Sequence, residues 1–97
     1  MTTFSATIER SAGNACVVKP APSVAGVTQA LFDLVGDDLP MMVAWLQPDD
    51  VLHAIEDCDA LAFTGSTDTG RVLAAHAGRN LKKSVLELGG SNPFMVL

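Results

Sequence analysis

Three short stretches of this 97-residue sequence hold residue types that could do chemistry. In Phe63-Thr64-Gly65-Ser66-Thr67-Asp68-Thr69-Gly70 an apolar run gives way to small polar residues. If a strand turns into a helix there, several backbone N–H groups converge on one place, a geometry that suits a phosphate. An ordinary strand-to-helix turn has the same composition, so both readings stand. G-x-G-x-x-G is absent, and Arg71-Val72 follow Gly70 where a triphosphate-binding loop needs Lys and then Ser or Thr. In Glu87-Leu88-Gly89-Gly90 a carboxylate ends an alternating run that puts Leu86 and Leu88 on the opposite face. Two glycines then let another group approach the backbone. A carboxylate so placed is either a general base or simply solvated. Lys19 leaves the apolar run Ala15-Cys16-Val17-Val18 just before Pro20, as an anion partner or as a plain surface lysine.

Other reactive side chains carry less. Cys58 is flanked by Glu56, Asp57 and Asp59, and Cys16 lies in an apolar run, surroundings that disfavour a thiolate nucleophile. Both read as free thiols, because two cysteines at unrelated positions make no disulfide framework. His53 and His76 lack the spacing of a helical ligand pair, and no metal is expected.

The elements that must position these residues follow from hydrophobic period. Residues 3–9 alternate, with Phe4, Ala6 and Ile8 on one side, which predicts a half-buried strand ending at Arg10. A covered strand is expected over residues 15–18, stopped by Pro20-Ala21-Pro22. Ser23 can cap a helix whose apolar face is Val24, Val27, Leu31, Leu34 and Val35, with Gly36 at its end. A strand over residues 41–46 and a short helix opened by Pro48-Asp49-Asp50 follow. The pattern recurs as a strand over 61–64, a helix over 67–80 and a strand over 84–88, with an apolar piece at 94–97. Alternating strands and helices predict an α/β fold with a mainly parallel sheet, crossover helices and ligands at the carboxyl ends of the strands.

Composition narrows the partners. With 48% hydrophobic residues the chain can form one core. Six Lys and Arg against eleven Asp and Glu leave a net charge of −5, with no cation excess for nucleic acid or an anionic membrane. There is no run of eighteen apolar residues, and Met1-Thr2-Thr3 is not the start of a secretory leader, so a cytoplasmic location is expected.

Taken in order, Ala12-Gly13-Asn14-Ala15-Cys16-Val17-Val18-Lys19-Pro20-Ala21, Phe63-Thr64-Gly65-Ser66-Thr67, Leu81-Lys82-Lys83 and Leu86-Glu87-Leu88-Gly89-Gly90-Ser91-Asn92-Pro93 strongly resemble the aldehyde dehydrogenase superfamily. The likeness covers about residues 12–97, and the last motif is specific to that family. Ala21-Pro22-Ser23-Val24 and Gly90-Ser91-Asn92-Pro93-Phe94 look most like its succinate-semialdehyde branch.

The resemblance implies a Rossmann-like fragment of the cofactor domain over residues 12–97, binding NAD or NADP. It implies that Lys19, with Pro20 and Ala21, faces the adenosine ribose or its 2′-phosphate. Gly65 and Ser66 fall at the pyrophosphate, Gly70 in the same turn, Leu88 beside the nicotinamide, and Glu87 is the general base. In such enzymes a cysteine attacks the aldehyde, hydride passes to the nicotinamide, and the base activates water to release the acid. The family's nucleophile lies beyond the Glu-Leu-Gly-Gly motif and its oxyanion-hole asparagine before the segment matching Ala12, so a truncated, catalytically incomplete piece is expected. Residues 1–11 do not match the family's lead-in, which suggests a new start joined near Ser11. Pro22 stands where a ribose-binding glutamate is usual, leaving NAD and NADP both open, and Pro40 is followed by Met41 instead of the common glycine. Two further readings remain. One is a non-catalytic module that self-associates or pairs with a full-length relative through residues 3–9. The other is a piece that holds no stable fold because apolar edges such as 94–97 stay exposed.

Overall fold

The computed structural model describes residues 13–38, 40–90 and 93–97, so the strand expected over residues 3–9 lies outside the described residues. Four strands alternate with three helices among them: β1 (Cys16–Val18), α1 (Ala25–Val35), β2 (Met41–Val43), α2 (Pro48–Asp57), β3 (Ala60–Thr64), α3 (Thr67–Arg79) and β4 (Lys83–Glu87). Both strand pairs are parallel, β1 with β2 and β3 with β4, each joined by a crossover that contains a helix. The chain is therefore α/β with parallel strands, as its periodicity requires. The sheet is present as two separate two-stranded pairs. The chain divides into two compact units between Val51 and Leu52.

In the first unit, Cys16 pairs with Met41 and Val18 with Val43. The Cys16 N–H donates to Pro40 O at 2.9 Å, and the Ala44 N–H to Val18 O at 2.9 Å. Ladder donors on β1 recur every second residue, so the next after Val18 would be residue 20. Pro20 has no N–H, and the pairing stops. For this reason β2 ends at Val43 and not at residue 46. Val18 is buried at 6% exposure.

Ser23 does not cap α1. Pro22, with its φ already set, starts a 3₁₀ turn over Pro22–Val24, so the chain is helical before Ser23 is passed. Val24 holds the N-cap position of α1 without a side-chain cap. Thr28 Oγ1 donates to Val24 O at 2.9 Å. The expected glycine end is present: Gly36 has φ 66°. The apolar face legible in the sequence is not core, since α1 contains no buried residue and Val27 and Leu34 are 73% and 84% exposed. α1 meets chiefly the 3₁₀ turns at its two ends.

In the second unit, the register Phe63↔Leu86 and Thr64↔Glu87 brings the ends of β3 and β4 level. α3 packs on both strands. Ile55, Leu73 and Ala77 are buried. His76, on α3, reaches α2 through its Nε2, 3.0 Å from Glu56 Oε1.

The C-terminus of α3 closes in a Schellman arrangement. The Lys82 N–H donates to Ala77 O at 2.9 Å and the Leu81 N–H to Gly78 O at 3.1 Å, while Asn80 Nδ2 donates to His76 O at 3.0 Å. The left-handed position of that motif, usually glycine, is Leu81 at φ 55°. Leu81 is 93% exposed, so no packing offsets the strain. Leu81→Gly should therefore stabilise the fold by about 1 kcal/mol, read as a higher urea midpoint with unchanged slope.

Candidate functional site

The second unit assembles two of the three chemical stretches at one end of a strand pair. β3 ends at Thr64, Gly65 and Ser66 turn the chain, and α3 starts at Thr67. Ser66 is the N-cap, with extended backbone and a hydroxyl that accepts from the Thr69 N–H at 3.2 Å and donates to Thr69 Oγ1 at 2.9 Å. The Gly70 N–H makes the first regular helical bond, to Ser66 O at 2.9 Å. This leaves the N–H groups of Ser66, Thr67 and Asp68 without an acceptor among the described residues, on an exposed turn. Their donors and the helix dipole together fit an anion. Asp68 would repel one, but Arg71 ties its carboxylate at 2.8 Å. Both partners are mostly exposed, so that pair adds little stability.

The two glycines of this turn contribute space, not amides. The Gly65 N–H is spent on Glu87 O at 3.0 Å, extending the β3–β4 ladder. A Cβ on Gly65 would lie 2.5 Å from the Phe63 ring tip, and one on Gly70 would collide with Leu88 Cδ2. Leu88 thus rests on the first turn of α3. Gly89 follows it past Thr67, whose Oγ1 would lie 3.6 Å from a Cβ built there.

Glu87 ends β4 and is exposed. Its carboxylate makes no hydrogen bond or ion pair with a described residue, and strand alternation turns it away from Leu86 and Leu88. A free carboxylate at a strand's carboxyl end can take a proton from water.

Gly65, Ser66, Gly70, Glu87 and Leu88 are therefore neighbours. Lys19, Pro20 and Ala21 belong to the first unit, where they leave the carboxyl end of β1, with Lys19 half-buried, Pro20 buried and Ala21 exposed. Among the described residues no three His, Cys, Asp or Glu side chains group as metal ligands, and no helix is long and apolar enough to cross a membrane.

The sequence model of the aldehyde dehydrogenase family matches residues 1–97, the opening eleven included. The chain belongs to the aldehyde dehydrogenase family. It is 44% identical over 92 residues to an Escherichia coli succinate semialdehyde dehydrogenase [NAD(P)+], covering 89% of this chain and 20% of that protein. It is 36% identical over 98 residues to a Pseudomonas putida benzaldehyde dehydrogenase [NAD(+)], covering 88% and 19%. The crystal structure of a Streptococcus pyogenes succinic semialdehyde dehydrogenase in complex with NADP+ superposes with a TM-score of 0.67 at 33% identity, over 80% of this chain and 18% of that one. The chain spans about a fifth of the length of the curated relatives it matches. Its α/β architecture is that of a fragment of an aldehyde dehydrogenase cofactor-binding domain.

Within this aldehyde dehydrogenase fragment Phe63 and Thr67 belong to a motif legible in the sequence, but the glycine that each lies against, Gly65 and Gly89, is set by the fold. Glycines that admit a neighbour carry no signal of which neighbour it is. Ser66→Ala, which removes the cap, should cost about 1 kcal/mol in urea unfolding, and Ser66→Asn should restore most of it without adding charge beside the open amides.

Proposed function

We propose that residues 12–97 are a partial NAD(P)-binding domain of an aldehyde dehydrogenase whose aldehyde is of the succinate semialdehyde kind. The observation that supports this best is the meeting of the anion-accepting turn at Ser66 with the free carboxylate of Glu87, at the carboxyl ends of paired strands. The N–H groups of Ser66, Thr67 and Asp68 bind the pyrophosphate. Lys19 supplies the cation for the adenosine ribose or its 2′-phosphate, on the backbone stretch it shares with Pro20 and Ala21. With Pro22 following in place of a carboxylate, no acidic side chain at that position opposes a 2′-phosphate, so NADP is accommodated as well as NAD. Leu88 presents apolar surface to the nicotinamide, and Glu87 removes a proton from the water that releases the acid. The cofactor, when bound, supplies the hydride acceptor.

Neither Cys16, within β1, nor Cys58, between Asp57 and Asp59, is assigned as the nucleophile. By itself the 97-residue chain is catalytically incomplete. Loss of a nucleophile lowers turnover by on the order of 10⁶.

Amide spectra of the labelled chain, recorded before and after NAD and then NADP, test the binding assignment. Signals of Ser66, Thr67 and Asp68 should move with at least one cofactor; spectra that respond to neither would overturn it. Aldehyde-dependent reduction of NAD or NADP by the pure chain, at rates near those of a complete enzyme, would overturn the assignment of incompleteness.

A second reading is favoured by the bare apolar surface of Val85, Phe94, Met95, Val96 and Leu97: a non-catalytic module that associates with a second copy. Sedimentation should then show a dimer at micromolar concentration, and a single monomeric species would dismiss this reading.

A further inference from the structure

Three consecutive residues at the end of β4 are held from three directions. The carbonyl of Glu87 accepts from the Gly65 N–H at 3.0 Å. The side chain of Leu88 fills the place a Cβ would take on Gly70, with Cδ1 and Cγ at 3.1 and 3.3 Å from that point. The backbone of Gly89 passes beside Thr67 Oγ1. Gly70 is buried within α3 although its N–H is bonded within its own helix, so what it uniquely provides is room. A glycine inside a helix is ordinarily a weakness that alanine repairs. Its presence here has a local reason: a Cβ at 70 would require the Leu88 side chain, which follows Glu87 directly, to leave its seat on the helix.

We infer that Gly70 is a positioning residue for Glu87, acting through Leu88, whose seat on α3 holds the carboxylate-bearing end of β4 beside the anion-accepting turn. The inference rests on the proposed function for the meaning of Glu87, but its geometry is independent of any ligand. Leu88 joins position 70 to the Glu87 backbone, being the neighbour a Cβ at 70 would meet and the residue that follows Glu87.

The test is a two-site cycle in the labelled 97-residue chain without cofactor. Gly70→Ala should move the Glu87 and Gly89 amide signals and the Glu87 carboxyl carbon signal. In the Leu88→Ala background, where the seat is already empty, adding Gly70→Ala should move the same signals by less than about half as much. Equal shifts in the two backgrounds would mean that residue 70 acts within its own helix, and would overturn the inference. If Gly70→Ala prevents folding, recovery of dispersed spectra on adding Leu88→Ala supports it, and failure in both backgrounds overturns it. A separate titration of the unaltered chain with NAD and then NADP decides the proposed function, so the two failures are distinguishable.

Discussion

The site depends on one pairing, that of β3 with β4 in the register Thr64↔Glu87, extended by the Gly65 N–H to Glu87 O. Each strand delivers a different chemical group at its carboxyl end: β3 feeds the turn whose amides open toward an anion, and β4 ends on the carboxylate. Parallel pairing is what puts both ends at the same edge; an antiparallel pair would set them at opposite ends. A slip of one residue would turn Glu87 onto the face now occupied by Leu86 and Leu88 and so bury the charge against α3. The packing of the Leu88 side chain on Gly70 opposes that slip, which would take Leu88 off the face that α3 covers.

The two ends of α3 are finished differently. At the N-terminus a single side chain, that of Ser66, satisfies one amide and leaves those of Ser66, Thr67 and Asp68 open, the condition for holding an anion. At the C-terminus the carbonyls of His76, Ala77 and Gly78 all find donors from Asn80, Leu81 and Lys82. That closure requires a left-handed Leu81, a cost accepted where nothing packs. The tie between His76 and Glu56 adds a link from α3 to α2.

Burial is sparse. Among the described residues Val18, Ile55, Leu73 and Ala77 form the buried apolar set, while the Val27 and Leu34 side of α1 and Val85 on β4 stay open to solvent. α1 meets chiefly the 3₁₀ turns at its two ends, so the apolar stripe plain in its sequence did not become core. The relatives that the chain matches are about five times as long.

The sequence by itself determined the order of strands and helices, the helix end at Gly36, and the residue types of the site, because period and glycine act locally. It also carried the family likeness in the Glu-Leu-Gly-Gly stretch. Tertiary structure alone decided that β2 stops at Val43, since the proline that ends its ladder, Pro20, follows the partner strand β1. It decided that the Gly65 amide belongs to the sheet and not to the anion-accepting set, and that Gly70 makes room for Leu88. It also decided that the face of α1 goes uncovered. Each of these depends on which residue arrives opposite another across a pair, and no local pattern encodes that.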